Sequence, residues 1–235
     1  MHIVLIPGFM ADASLWDGIV QDVGILGPLV YGDLSRATSI REMAQHVLDD
    51  APEHFSLIGF SMGGYVAREI VRIAPERVTA LVLVATSARA DTVEQARRKA
   101  SAVRLMDPTR FTGFSRSGVL SSLHPDRAGD EAMIERVRAM SERVGAEVFR
   151  RHASQDRPSD LHLLNSIQCP TLVIAADQDA LRSIGEAQEL RDGINGAKLI
   201  IIENSGHMIP IERPKALADA VVPWLRDQDL LLEGG

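Results

Sequence analysis

A chain of 235 residues is long enough to bury a full hydrophobic core, and one α/β domain is the expectation at this length. Its formal charge of -7 is spread over both signs without a long like-charge block, which excludes a nucleic-acid footprint and leaves a small molecule as the expected partner. The opening run HIVLIPG is too short and too lightly flanked for a signal peptide, and no later run is long enough to span a membrane, so a cytoplasmic protein with no membrane partner is expected.

Continuous apolar runs recur at 2–7 (HIVLIP), 28–34 (PLVYGDL), 55–60 (FSLIGF), 78–85 (VTALVLVA), 170–176 (PTLVIAA) and 197–203 (AKLIIIE). Each is short, β-branched and bounded by turn residues, as in strands buried on both faces of a parallel sheet. Helical patterns alternate with them at 12–23, 38–50, 63–74, 183–192 and 213–227, the signature of an α/β fold with right-handed crossovers. The alternation breaks at 90–167, where helical periodicity takes over and places Met133, Val137, Met140 and Val144 on one face. This segment reads as a helical cap inserted after the fourth strand, packed on the sheet as a lid. Cys169 is the only cysteine, so no internal disulfide or cysteine-rich metal site can form; before Pro170 it reads as a small packed hydrophobe. The last seven residues, DLLLEGG, read as a frayed tail.

Between the third run and its helix stands Gly59-Phe60-Ser61-Met62-Gly63, a G-x-S-x-G pattern. A strand that turns straight into a helix forces its pivot into strained φ/ψ, and only small flanking residues let the two backbones pass. The Ser61 hydroxyl is thereby pushed out at the carboxyl end of the strand, where open α/β sheets place ligands. The similar Gly113-Phe114-Ser115-Arg116-Ser117 lacks the second glycine and a preceding strand, and is discarded. Neither G-x-x-x-x-G-K-[ST] nor G-x-G-x-x-G is present, which disfavours a phosphate-binding loop.

A serine hydroxyl needs a positioned base. Of the seven histidines, His207 in IIIENSGHMIP follows the last strand run and a Ser-Gly turn, which carries it to the same edge as Ser61. His2, His46, His54, His152 and His162 suit packing or surface roles, while His124 in SSLHP could line a lid. The imidazole needs a carboxylate to fix its tautomer, and PTLVIAADQD supplies Asp177, against the strand end, and Asp179, further into the loop. The chain order Ser, Asp, His is the one used by this architecture.

With these residues the chain resembles the α/β-hydrolase superfamily, in its small, cofactor-free, serine-nucleophile form. The likeness runs from LIPGFMADASLWDGIV through GFSMGGYVAREIVRIAPERVTALVLVATSAR and CPTLVIAADQDALRS to NSGHMIPIERPKALADAVVPWL. It implies a mainly parallel sheet of about six strands, since the family's first hairpin has no counterpart before Ile3. The family's orienting acid closes a G-x-x-D pattern, which puts Asp179 ahead of Asp177, with Ala176 in place of the glycine. The family often has His-Gly at the end of the first of these strands; here it is Pro7-Gly8-Phe9. The oxyanion donors implied are the backbone N–H groups of Phe9 and Met62, and such a donor is worth about 3 kcal/mol in the transition state. Trp16 matches a structural aromatic of the family.

The resemblance therefore implies a serine esterase acting on a carboxylic ester or thioester through Ser61, His207 and Asp179, without metal or organic cofactor. Lactonase, carbon–carbon bond hydrolase and perhydrolase chemistry on the same triad are the alternatives, with a ligand-binding or signalling protein that retains the triad as one of another class. Met10, Met106, Phe111, Phe114, His124 and Met208 are the candidates for the substrate pocket, with Leu105, Val119 and Leu120 as further apolar lining. Arg36, at another strand end, suits a solvated loop. No oligomeric state is specified by the sequence.

Overall fold

The structure is a computed structural model that describes residues 1–233. Its centre is a six-stranded sheet of β1 (Ile3–Ile6), β2 (Leu29–Tyr31), β3 (Phe55–Phe60), β4 (Val78–Val84), β5 (Thr171–Ala176) and β6 (Lys198–Ile202), in the order β2-β1-β3-β4-β5-β6. Every neighbouring pair is parallel. A parallel sheet is covered on both faces, and alternate residues of one strand therefore enter different cores. Ile3 and Leu5 pack with Trp16, Val23 and Leu217 on one face, whereas Val4 and Ile6 pack with Met43, Val66 and Leu190 on the other. This is why the inner strands read as unbroken apolar runs. The expectation of burial on both faces fails at the two edges, where β2 is only partly covered and β6 leaves Ile200 and Ile201 exposed.

The helices that cover the sheet are α1 (Val20–Gly24), α2 (Ile40–Asp50), α3 (Met62–Ile73), α8 (Ile184–Gly193), α9 (Ile209–Glu212) and α10 (Pro214–Glu233). Between β4 and β5 come α4 (Val93–Leu105), α5 (Arg116–Leu120), α6 (Glu131–Val144) and α7 (Ala146–Ala153), which occupy the segment read as an insertion. The single helix expected at 12–23 is instead a 3-10 turn, Ala13–Trp16, followed by the short α1. The break falls at Gly18, a poor helix former that sits against Pro214, where any Cβ would lie 2.6 Å from the proline ring. At the other end α10 runs beyond the expected 227 to Glu233, so the supposed frayed tail is helical to that residue, and Gly234 and Gly235 lie outside the described residues. Cys169 is half-buried beside the second core, and burial pushes its thiol up to about 11. No described helix is long and apolar enough to cross a membrane.

One buried ion pair ties the inserted segment to the sheet layer. Arg68 on α3 is fully buried and grips Asp160 with two bonds, Nε to Oδ2 at 2.8 Å and Nη2 to Oδ1 at 2.9 Å. Arg72 adds a third at 2.9 Å, and Arg68 Nη2 also donates to the Ser87 carbonyl. Burial by itself would raise the Asp160 carboxyl, but the two guanidinium groups outweigh it and hold it below the usual carboxylate range.

Candidate active site

The site is assembled at the carboxyl edge of the sheet, where the backbone is strained. All four non-glycine residues with positive φ lie just past strand ends: Met10 (55°) after β1, Ser61 (51°) after β3, Ala85 (48°) after β4 and Asn204 (56°) after β6. Such conformations persist only where the surroundings over-determine them. At Ser61 (φ 51°, ψ -112°) the chain turns directly from β3 into α3. Ser61 N–H donates to the Val84 carbonyl at 2.9 Å, and its own carbonyl accepts from Thr86 Oγ1 at 2.6 Å. A Cβ at Gly59 would lie 2.6 Å from the Gly63 carbonyl oxygen, so the elbow closes only because that residue has no side chain.

The structure brings Ser61, His207 and Asp179 together. His207 Nε2 is 2.9 Å from Ser61 Oγ, and His207 Nδ1 is 2.7 Å from Asp179 Oδ2. An ionised carboxylate can only accept, so Nδ1 carries the proton and Nε2 presents its lone pair to the serine hydroxyl. Asp179 is held in turn by the backbone of its own loop, accepting from Leu181 N–H at 2.8 Å and Arg182 N–H at 2.9 Å on Oδ1. Both members of the His–Asp pair are buried, His207 with 7% and Asp179 with 1% of the side chain exposed, which keeps competing water from that bond. Asp177 takes a different place: its Oδ1 accepts from Ser205 N–H at 3.2 Å and steadies the turn that precedes His207.

The loop of His207 is fixed from the inserted segment as well. His207 N–H donates to the Ser122 carbonyl at 2.9 Å. The buried Glu212 accepts from Met208 N–H at 3.2 Å and from His124 N–H at 2.7 Å. Burial pushes the Glu212 carboxyl up despite these donors.

After β1, Gly8 to Ala11 form a turn closed by Ala11 N–H on the Gly8 carbonyl at 3.2 Å. Neither Phe9 N–H nor Met62 N–H donates to a protein acceptor among the described residues; Met62 opens α3, where a helix leaves its first N–H groups free. The Phe9 ring stacks on Phe114 at 6.0 Å, meets Phe149 edge-on at 5.9 Å and lies 5.8 Å from His152. His152 Nδ1 accepts from Met10 N–H at 3.4 Å while Nε2 donates to the Leu34 carbonyl at 3.0 Å. With Pro7 standing before Gly8, the shape of this loop is set by side chains from α7.

Ser61 and His207 open onto a cavity of about 300 Å³, also lined by Phe9, Met10, Phe60, Phe114 and Met208. Of the sequence candidates, Met10, Phe114 and Met208 line it, and Met106, Phe111 and His124 do not. Met106 is the cap residue that follows α4, Phe111 packs on Phe149 at 5.6 Å, and the His124 ring caps a 3-10 turn by accepting from Asp126 N–H. Leu105 is 77% exposed and Val119 is in the core; neither lines the cavity. The discarded Ser115 caps α5, and Arg36 pairs with Asp33 in solvent. Sequence reasoning missed Gln95, Lys99, Arg157 and Arg182 on the cavity wall. No pattern ties these four positions together, since they come from three separate parts of the chain. Among the described residues no group of three or more His, Cys, Asp or Glu could hold a metal ion.

The same architecture is found in known proteins. The model of the alpha/beta hydrolase family matches residues 3–220. The chain belongs to the alpha/beta hydrolase family. Within this hydrolase a stretch of 94 residues is 37% identical to the pimeloyl-[acyl-carrier protein] methyl ester esterase of Citrobacter koseri, covering 37% of each chain. The corresponding protein of Klebsiella pneumoniae is 38% identical over 94 residues. The matched stretch thus spans 37% of the length of these curated relatives. Among solved structures, a thermophilic esterase from Thermogutta terrifontis with malate bound superposes with a TM-score of 0.83 at 24% identity, over 97% of this chain and 90% of that one. The enol-lactonase from Burkholderia xenovorans LB400 gives 0.85 at 21% identity, over 96% and 91%. These likenesses establish the fold of the hydrolase.

Proposed function

We propose that this hydrolase cleaves a carboxylic ester or thioester through an acyl-enzyme. The observation that carries the reading is the continuous chain of hydrogen bonds from Asp179 through His207 to Ser61 Oγ, ending on a cavity. His207 Nε2 takes the Ser61 proton as Oγ attacks the carbonyl carbon. The oxyanion is received by the Phe9 and Met62 N–H groups, and Asp179 stabilises the imidazolium. The protonated His207 then gives its proton to the departing alkoxide or thiolate, which leaves as the carbon–oxygen or carbon–sulfur bond breaks. A water molecule, deprotonated by His207, attacks the acyl-enzyme, releasing the acid and restoring Ser61. Curated relatives named for a methyl ester support an ester as the bond cleaved.

A cavity of about 300 Å³ is at the small end for ligand sites and suits short to medium acyl groups. Release of p-nitrophenol from acetate, butyrate, octanoate and palmitate esters tests this, with γ-lactones as cyclic esters beside them. Activity is expected on the shorter chains, with palmitate poorest, and Ser61→Ala should bring every ester to background. Equal rates for the intact protein and Ser61→Ala on all of these substrates would overturn the reading.

A further inference from the structure

The cavity over Ser61 has two chemically different sides. Phe114, Val137 and Met140 make one of them apolar. The other carries Asp91, Gln95, Lys99, Arg157 and Arg182, and the steps above use none of these groups.

Charge on this second side is not balanced. The Arg157 side chain is only 6% exposed, yet of its nitrogens Nη2 alone is bonded, to Asp91 Oδ1 at 2.9 Å and Oδ2 at 3.3 Å. Its Nε has no acceptor among the described residues. Asp91 is shared, because its Oδ2 also takes Lys99 Nζ. Arg182 reaches Glu186 at a long 3.4 Å through Nη1, and its Nε likewise has no acceptor among the described residues. Among the described residues Lys99, Arg157 and Arg182 therefore have only Asp91 and Glu186 as ion-pair partners, three cations to two carboxylates, because Asp179 is taken up by His207 and the backbone of its own loop. Nearby Arg89 is already neutralised by Glu189, and Asp156 lines a second cavity, which Asp91, Lys99 and Arg157 also border, without an ion pair to either cation. Burial pulls the Arg157 guanidinium below its ordinary value, Asp91 and Tyr65 oppose this, and Arg182 pulls it further down. A buried guanidinium with an unpaired donor is costly, and an anion in the cavity that accepts from Nη1, the Arg157 nitrogen that is neither bonded nor sealed from solvent, relieves part of that cost.

We propose that Arg157, Arg182 and Lys99 form an anion subsite in the cleavage cavity, and that the ester substrate carries a carboxylate which binds there, as in a half-ester of a dicarboxylic acid. This deepens the ester reading and rests on it. A neutral ester of the same length leaves the three cations with two carboxylates between them, so discrimination comes from the ion pair that only the half-ester forms.

Two measurements test the subsite. The first compares kcat/KM for the monomethyl and dimethyl esters of succinic, glutaric and adipic acids, in the intact protein, Arg157→Met and Arg182→Met. The intact protein should prefer the half-ester for at least one acid, and each variant should cut that half-ester to diester ratio by about tenfold or more, the worth of a charged hydrogen bond. Arg182 is less buried than Arg157, so its variant reports even if Arg157→Met fails to fold. No preference in the intact protein, or an unchanged ratio in Arg182→Met, overturns the proposal. The second is calorimetric titration of Ser61→Ala, with and without Arg182→Met, with adipate and with neutral dimethyl adipate. Adipate bound in an Arg182-dependent way, with every ester inert, would sink the ester reading and keep the subsite. Neutral esters turned over without any binding of adipate would do the reverse.

Discussion

Asp177 and Asp179 are two residues apart and chemically identical, yet they make different contacts. Asp179 meets His207 Nδ1 at 2.7 Å, whereas Asp177 accepts the Ser205 N–H that shapes the turn before the histidine. Asp179→Asn offers an N–H where an acceptor is needed and favours the wrong imidazole tautomer. It is expected to lower kcat by about 10³- to 10⁴-fold with little change in KM. Asp177→Asn keeps an oxygen for Ser205 N–H and should lose less than about tenfold, with a modest fall in thermal midpoint. Steady-state kinetics on one p-nitrophenyl ester separates the two, and equal losses would contradict these roles. At this scale the serine was legible because G-x-S-x-G carries a steric reason, and the histidine because a strand and a tight turn precede it. Arg157 was not, since its meaning depends on Asp91, which is 66 residues away in sequence.

At the scale of elements, Arg68 and His152 are among the side chains that join the segment between β4 and β5 to the layers beneath it. Arg68 reaches from α3 to Asp160, and removing the Asp160 carboxylate strands the fully buried Arg68 as an unpaired charge, whereas Asp160 keeps Arg72 when Arg68 is removed. Asp160→Leu should therefore cost about 3–5 kcal/mol of stability in denaturant unfolding. His152 on α7 bridges Met10 N–H and the Leu34 carbonyl. Burial lowers its pKa, helped by Arg151 and opposed by the Leu34 carbonyl and Asp33. The folded state thus binds fewer protons than the unfolded one, so the bridge's full contribution is present above the unfolded value of about 6.5 and is lost as pH falls below it. His152→Gln cannot titrate. The stability difference between the intact protein and this variant should shrink between about pH 7 and pH 5; a constant difference would mean His152 is not buried neutral.

Across the whole molecule, stability is unevenly distributed. The inner strands β3 and β4 are buried nearly throughout, while α4 buries no residue and leaves Val93 69% and Leu105 77% exposed. Its order rests on a capping box at Thr92 and Gln95 and on the Lys99–Asp91 pair. Local opening there exposes little apolar surface, so native-state hydrogen exchange should show α4 amides exchanging orders of magnitude faster than those of β3 and β4. Comparable protection in α4 and the inner strands would refute this. Since α4 also supplies Gln95 and Lys99 to the cavity wall, a helix that buries none of its residues borders the cavity.

The alternation of apolar runs with helical patterns determined by itself that the chain would form a parallel α/β sheet, because a strand covered on both faces must be apolar at every position. Local stereochemistry likewise determined the elbow at Ser61, where two glycines and a strand-to-helix turn leave few other conformations. What only the tertiary structure decided is non-local. Edge exposure depends on strand order, which placed β2 and β6 outermost although their sequences resemble the inner strands. The resemblance puts Asp179 ahead of Asp177, but the contact that separates them depends on where a loop 28 residues later comes to rest. The grouping of Lys99, Arg157 and Arg182 beside Ser61 comes from parts of the chain that no spacing rule connects, because electrostatic pairing acts through space and not along the chain.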